Sequence, residues 1–403
     1  MKYGTRCYKI SYPAASVNLA HREPEKKADP ERFRQAILDE LATRPVPKNA
    51  GIVVADKTRR CDYPVYLPQL IEALLIKGVA RENISFYIAY GTHPKQSEKE
   101  CIQSYGQVYR DFNFVHHDAR DASKLTRLGK TSRGTDLEIN AAVLEHELLI
   151  TFGALSHHYF AGFGGGRKLM VPGLAGYETI LKNHSLFLDF ERHVLEEGCQ
   201  SGNIETNPLA LDLEEIAGML PPRIEIHGLL NSDKELCEFS IGHNYADFKQ
   251  ACKRYDEFFR SDCRENFDMV VASAGGYPKD INFIQTHKTI HNAASFLKDG
   301  GRLVIFAECR DGIGNKAFLE LFGLGGPDAI YEKMALGYRN NAGTALATLQ
   351  KSSRFDIRFV TSLSEEDCAL LGTRKTSPEE AIDLIRQEKG RLGRIENGSI
   401  IYR

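Results

Sequence analysis

Residues 52–89, IVVADKTRRCDYPVYLPQLIEALLIKGVARENISFYIA, open on a short apolar run, pass through a longer periodic stretch and close on a second short apolar run. Ile52–Asp56 (IVVAD) and Ile84–Ala89 (ISFYIA) have the length and composition of strands, and Leu67–Lys77 between them reads as a helix. A strand, a helix and a strand in succession encode a parallel sheet covered by helices, so the fold class is α/β. Outward from this unit, Phe112–His116 (FNFVH) and Leu148–Phe152 (LLITF) read as further strands, and Glu31–Thr43 as a helix. A second series begins near Phe267 with MVVASAGG, continues through a helix over Asn292–Leu297, and then through RLVIFAE and DIRFVTSL. The polar stretch SDCRENFD between the two series marks a boundary, giving an N-terminal domain over 1–264 and a C-terminal one over 265–392. The tail, 393–403, is expected to return to the first domain. Two α/β domains with mainly parallel sheets are expected to hold an active-site cleft between them, at strand carboxyl ends.

Composition narrows the classes. The 403 residues are 42% hydrophobic and 26% charged, an ordinary globular balance with enough chain for two cores. A formal net charge of -2 offers no bulk field for nucleic acid or an anionic membrane, so neither is expected as a partner. The start, MKYGTRCYKISYP, has no apolar run behind its basic residues, and no segment approaches the roughly 20 apolar residues of a membrane span. A cytoplasmic location is the expectation. Nine cysteines scattered singly, with no CxxC spacing, fit reduced thiols better than a disulfide framework or a zinc ribbon.

Four motifs sit where such strands would end. DKTRR, 56–60, projects Asp56 and Arg59 from the first strand, and a guanidinium there suits a carboxylate or phosphate, which it grips with two parallel hydrogen bonds. A solvated surface turn is the bland alternative. YGTHP, 90–94, puts His93 at a loop tip, a place where a lone histidine is more often structural or exposed than catalytic. SHHYFAGFGGGRKLMVPGLAGYETILKNH, 156–184, follows Gly153 and sets His157, His158 and His184 around a glycine loop and Lys168. Gly162, Gly164, Gly165 and Gly166 permit the close approach and positive φ of a phosphate-cradling turn, although a tight packing turn uses the same residues. Lys168 is followed by Leu169, so this is no Walker loop, and neither GxGxxG nor HExxH is present. Any metal would be held by residues assembled in space. GGYPKDINFIQTHK, 275–288, places Gln285 and Lys288 three residues apart, on one face of a helix; a solvated lysine at a helix start is the alternative.

Taken in this order, DKTR, GTHP, SHHYFAGFGGGRKLMVPG with its trailing NH, and GGYPKDIN followed by QxxK resemble the lactate racemase family, whose members use a nickel-pincer nucleotide. The resemblance runs from about Asp56 to beyond Lys288. It implies that Lys168 is joined covalently to the cofactor, a pyridinium-3-thioamide-5-thiocarboxylic acid mononucleotide carrying nickel. His184 matches the family's protein ligand to the metal, a role to which imidazole is suited. His93 and His158 match the paired acid/base histidines. Arg59, Gln285 and Lys288 match the substrate-positioning groups, Asp56, Arg59, Gly153 and Phe160 fall at the nucleotide, and Gly165 and Gly166 fall near its phosphate.

The implied reaction is racemisation or epimerisation of a 2-hydroxy acid by reversible hydride transfer from C2 to the cofactor, through a 2-oxo acid. A bond remade on either face needs a base for either enantiomer, which accounts for two histidines, while the cofactor carries the hard step. The partners implied are the small 2-hydroxy acid and the biosynthetic enzymes that supply the cofactor. Two residues depart from the family pattern: Ile284 stands where a tyrosine is expected, and Arg60 where a proline is. They leave open whether the acid is lactate or a larger or dicarboxylic relative. His157 and His287 receive no role. One rival is a metal-dependent hydrolase or lyase in which His93, His158 and His184 bind the metal directly. Another is a sensor of phosphorylated sugars or nucleotides, which gives no reason for paired histidines beside Lys168.

Overall fold

The computed structural model describes residues 1–339 and 341–403. Its chain divides into two compact units, neither of them continuous in sequence. One gathers Glu23–Leu186 and Asn203–Asp256; the other gathers Met1–Arg22, Phe187–Gly202 and Glu257–Arg403. The last passage between them, after Asp256, lies close to the polar stretch that marks a boundary in the sequence. The excursions of 1–22 and 187–202 leave no composition signal.

The first unit is built on a six-stranded sheet ordered Leu236–Gly242, Ile224–Leu230, Leu148–Ala154, Ala50–Ala55, Ile84–Ala89, Asn113–His116. All neighbours are parallel except the edge pair Ile224–Leu230 and Leu236–Gly242. All six residues of Ala50–Ala55 are buried, which explains the unbroken apolar run: a central parallel strand is covered on both faces. One cover is the pair of helices Pro30–Ala42 and Tyr63–Lys77. Asp29 caps the first by accepting the Glu31 amide, Pro30 suits its first turn, and Phe33, Ile37 and Leu41 recur at helical spacing on the buried face. Gly78, at φ 102°, ends the second in a conformation that a side chain resists.

The second unit carries a six-stranded sheet that is parallel throughout, ordered Arg374–Lys375, Asp356–Val360, Leu297–Phe306, Phe267–Ser273, Leu392–Ile395, Val17–Asn18. The helix expected over Asn292–Leu297 begins earlier, at Phe283, because Asn282 accepts the Gln285 amide and starts it there; it ends at Ala294, and Leu297 already opens a strand. All nine cysteines are free thiols. Among the described residues no helix is long and apolar enough to cross a membrane.

Candidate active site

In the first sheet the chain leaves Ala50–Ala55 toward Ile84–Ala89 and Asn113–His116 on one side, then returns to add Leu148–Ala154 and Ile224–Leu230 on the other. Where connections depart in opposite directions, a crevice opens at the carboxyl ends of the two flanking strands. The ladder between these strands stops at Val54 opposite Phe152. Beyond it the Tyr63 hydroxyl accepts the Ala55 N–H and donates to the Phe152 carbonyl, each at 2.8 Å, so the splayed strand ends remain satisfied. The residues that follow are Asp56 on one strand and Leu155–His158 on the other.

Asp56 is 3% exposed and fully used. Its Oδ1 accepts the Thr58 amide at 2.8 Å and the Thr58 hydroxyl at 2.6 Å, and its Oδ2 lies 2.5 Å from His93 Nδ1. Burial alone would raise this carboxyl; the bond and charge of His93, with Arg59 and Thr58, bring it down to about 2. Asp56 therefore stays ionised, and a carboxylate on Nδ1 fixes that nitrogen as the donor. The other nitrogen, Nε2, is left for chemistry on a side chain 39% exposed. Arg59 is exposed and makes no ion pair among the described residues. Arg60 is also exposed and reaches the Gln103 carbonyl at 3.5 Å.

Ser156–His158 and Gly162–Gly164 form a hairpin in which His157 faces Phe163 across the ladder and His158 faces Gly162. Alternation along a strand sends adjacent histidines to opposite sides. His157 Nε2 meets Asp256 Oδ1 at 2.6 Å and its ring packs on Phe163 and Tyr255, which anchors the hairpin. His158 Nε2 lies 3.0 Å from Lys168 Nζ. Phe160 is the hub of this group: its ring is 4.3 Å from His158, 5.2 Å from Lys168 Nζ and 5.1 Å from His184. Asn207, fully buried as the cap of Pro208–Met219, donates to the Phe160 carbonyl at 2.9 Å.

The glycines set the depth of the Lys168 turn. Gly165 has φ 81°, and a Cβ there would stand 2.5 Å from the Ala154 carbonyl; Gly166 has φ 50°, and a Cβ there would strike the Phe248 ring. A side chain at Gly153 would meet Leu169 at 2.8 Å. The turn thus lies flat on the end of Leu148–Ala154. Gly91 in the His93 loop donates its amide to the Gly173 carbonyl at 2.9 Å, tying that loop to the segment just after Lys168. His184 belongs to the helix Tyr177–Ser185, whose Asn183 donates to Asp212 at 2.8 Å; Thr131 and Thr135 donate to the same buried carboxylate.

His93, Asp56 and Arg59 thus form one group, and His158, Phe160, Lys168 and His184 a second, with Gly153, Gly165 and Gly166 beneath. Gln285 and Lys288 lie in the other unit on Phe283–Ala294, joined by a 3.0 Å bond from Lys288 Nζ to Gln285 Oε1. His287 on that helix is buried, and desolvation first, then Lys288, lowers it to about 3, so it is neutral. The contact between Asp56 and His93, the support by Asn207 and Asp212, and Arg167 are not signalled by the motifs. Arg167 is 3% exposed, none of its guanidinium nitrogens is hydrogen-bonded among the described residues, and its charge lies over Phe248 at 4.4 Å.

Two family models match this chain. One described as the lactate racemase N-terminal domain covers residues 4–195, and one described as the lactate racemase C-terminal domain covers 263–345. Lactate racemase of Lactiplantibacillus plantarum is 30% identical over 305 residues, which is 74% of this chain and 69% of that protein. The chain belongs to the lactate racemase family. Lactate racemase of Thermoanaerobacterium thermosaccharolyticum is 29% identical over 307 residues, 76% of this chain and 70% of that one. The apoprotein structure of lactate racemase from Thermoanaerobacterium thermosaccharolyticum superposes with a TM-score of 0.88 at 25% identity, covering 100% of this chain and 99% of the other. A Thermotoga maritima structure shares the fold, with a TM-score of 0.70 at 15% identity over 95% of this chain and 99% of its own.

The side chains present fit the family's nickel-pincer nucleotide. An amine, an aromatic wall and the imidazole of His184 stand together around a glycine turn that side chains would fill. One protein imidazole suits a metal whose remaining donors come from an organic group. Among the described residues no three His, Cys, Asp or Glu side chains gather as a metal-binding cluster, which counts against direct binding by His93, His158 and His184.

Proposed function

We propose that this protein racemises or epimerises a 2-hydroxy acid, with His93 and His158 as the acid/base pair, Lys168 as the attachment point of the nickel-pincer nucleotide and His184 as the ligand to its metal. The observation that carries the reading is the meeting of Lys168, His158 and His184 around Phe160, with the loop of a His93 oriented by Asp56 tied through Gly91 to the segment after Lys168. When bound, the cofactor supplies the acceptor for the hydrogen at C2. The chain supplies everything else.

His93, held through Nδ1, presents Nε2 to the substrate hydroxyl and takes its proton; Asp56 stabilises the imidazolium that forms. His158 performs the same task for the opposite enantiomer. Its Nε2 faces the Lys168 nitrogen at 3.0 Å, and joining that nitrogen to the cofactor would remove the positive charge of the amine beside the ring. Arg59 binds the substrate carboxylate, as an exposed guanidinium with no ion pair among the described residues is able to. Gln285 orients Lys288 by accepting its bond, and Lys288 is the second positioning group. Arg60 lies on the carbonyl of Gln103, so the reading gives it no part in the substrate site.

Intact mass and metal analysis of protein co-expressed with the cofactor's biosynthetic enzymes tests this reading. An adduct and nickel are expected in the wild type and neither in Lys168→Ala. Zinc or iron held equally by both proteins, with no adduct, sinks it and favours a metal-dependent hydrolase or lyase.

A further inference from the structure

Asp56 and His93 stand on different loops, and their 2.5 Å contact requires that the two loops leave the sheet at one fixed separation. Ala55 and Ala89 are paired in register, so the loops start side by side, but the ladder ends at that pair. Beyond it the two are joined by Gln96, which closes the loop carrying His93. Gln96 is 3% exposed. Its Oε1 accepts the amide of Lys57, the residue after Asp56, at 2.7 Å; its Nε2 donates to Cys101 Sγ at 3.7 Å; its own amide donates to the Tyr90 hydroxyl at 3.2 Å. One residue thus ties the start of the His93 loop to its end, and that end to the Asp56 loop.

Each anchor is itself held. The Tyr90 hydroxyl, having accepted from Gln96, donates to His116 Nδ1 at 2.8 Å, and His116 Nε2 then donates to the Tyr109 hydroxyl at 3.1 Å. On the other side Lys57 is gripped a second time. Its ammonium pairs with Glu100, which also accepts the Ser97 amide at 2.8 Å and the Ser97 hydroxyl at 3.0 Å where the helix Glu98–Tyr105 begins. Backbone and side chain of the residue after Asp56 are therefore both fastened to the segment that follows His93. An apolar side chain at position 96 would fill the same buried space without three directional bonds to satisfy. What the carboxamide adds is a set distance between Lys57 and the His93 loop.

We propose that Gln96 is a positioning residue for His93: it sets the separation of the two loops at which Asp56 holds the proton on His93 Nδ1 and leaves Nε2 for the substrate. The proposal rests on the acid/base role given to His93 above, but the contacts it invokes belong to the chain without cofactor.

Long-range proton–nitrogen NMR of the full chain with isotope-labelled histidine, taken without cofactor at about pH 9 where an ordinary imidazole is neutral, reads the tautomer of each ring. His93→Asn assigns the signal. Wild-type His93 should carry its proton on Nδ1. In Gln96→Met, which fills the space but accepts nothing from Lys57, the proton should pass largely to Nε2, the preferred site of an unconstrained imidazole. Gln96→Glu keeps an acceptor there and should restore Nδ1. The ring of His157, held by Asp256 at 2.6 Å, should be unchanged throughout. If Gln96→Met does not fold, Gln96→Asn takes its place, since its shorter side chain cannot span the same gap. In the loaded enzyme Gln96→Met should turn over about tenfold more slowly, and Gln96→Glu close to wild type. The proposal is overturned by a wild-type His93 protonated on Nε2, by an Nδ1 tautomer that persists in Gln96→Met or is not restored in Gln96→Glu, or by a change at His157 alongside it. The expected tautomers in a protein whose wild type racemises nothing would uphold the clamp and count against the reaction assigned to His93.

Discussion

His93 and His158, the pair proposed for one task, are held differently by the molecule. His93 stands on a loop tip and is fixed by a buried carboxylate, with Nδ1 on Asp56 at 2.5 Å. His158 stands on a short hairpin, where the Ala161 amide approaches its Nδ1 at 3.4 Å and the Lys168 amine faces its Nε2. A carboxylate stabilises an imidazolium; a neighbouring amine does not. The difference teaches that a reaction symmetrical in its substrate need not be served by symmetrical bases. In the proposed reaction His93 is oriented by a buried carboxylate, whereas His158 stands beside the nitrogen to which the cofactor would be joined.

The largest expected effect sharpens that contrast. His93→Asn and His158→Asn should each lower turnover by about 10²–10⁴, measured by following each enantiomer to the racemic mixture. Equal residual activity in both variants and both directions would break the comparison. Asp212→Leu comes next. It strips the acceptor from Thr131, Thr135 and Asn183 beneath the His184 helix and should cost about 3 kcal/mol, read from urea unfolding, with little change in the His93 loop. A loss below about 1 kcal/mol would remove the support assigned to that helix.

Asp56→Asn probes the His93 side. Against burial, His93, Arg59 and Thr58 hold the folded carboxyl down at about 2, below its ordinary 3.8. Since folding lowers this pKa, its stabilisation is complete above about pH 4 and fades as pH falls toward 2; the shift corresponds to about 2 kcal/mol. Wild type should therefore lose stability between pH 4 and 2 more steeply than Asp56→Asn, whose turnover should also fall at neutral pH. Parallel acid profiles for the two proteins would contradict the linkage. The smallest effect belongs to Arg60→Pro, which restores the family's expected residue and should change KM within about twofold, because Arg60 is exposed and reaches only a carbonyl.

Much of the first sheet was legible because its central strands are buried on both faces, as in Ala50–Ala55, and buried runs are apolar throughout. Ile224–Leu230 escaped notice for the opposite reason: Glu225 and His227 interrupt the run, and buried Glu225 is paired with Arg223. Val17–Asn18 has two residues and no pattern to read. At the site, the order of the motifs pointed to His93, His158, Lys168 and His184, whereas the pairing of Asp56 with His93 could not be read from spacing. It arises because Ala55 and Ala89 lie side by side in register, so the loops beginning at Asp56 and Tyr90 leave the sheet together. Arg167 looks like any surface arginine in sequence; only packing against Phe248 shows it buried.

The interleaving of the two units bears on how such a protein can be taken apart. Four passages of the chain, after Arg22, Leu186, Gly202 and Asp256, link one unit to the other. A protease that nicks any one of them leaves three peptide connections, so the nicked product should migrate whole on a sizing column and split only in denaturant. Gene fusion meets the same arithmetic: a break at a single codon always separates a strand from its sheet, as removing residues 1–22 takes Val17–Asn18 from the edge of Leu392–Ile395. Neither half is a portable module, and exchanging one between homologues requires several crossovers at once.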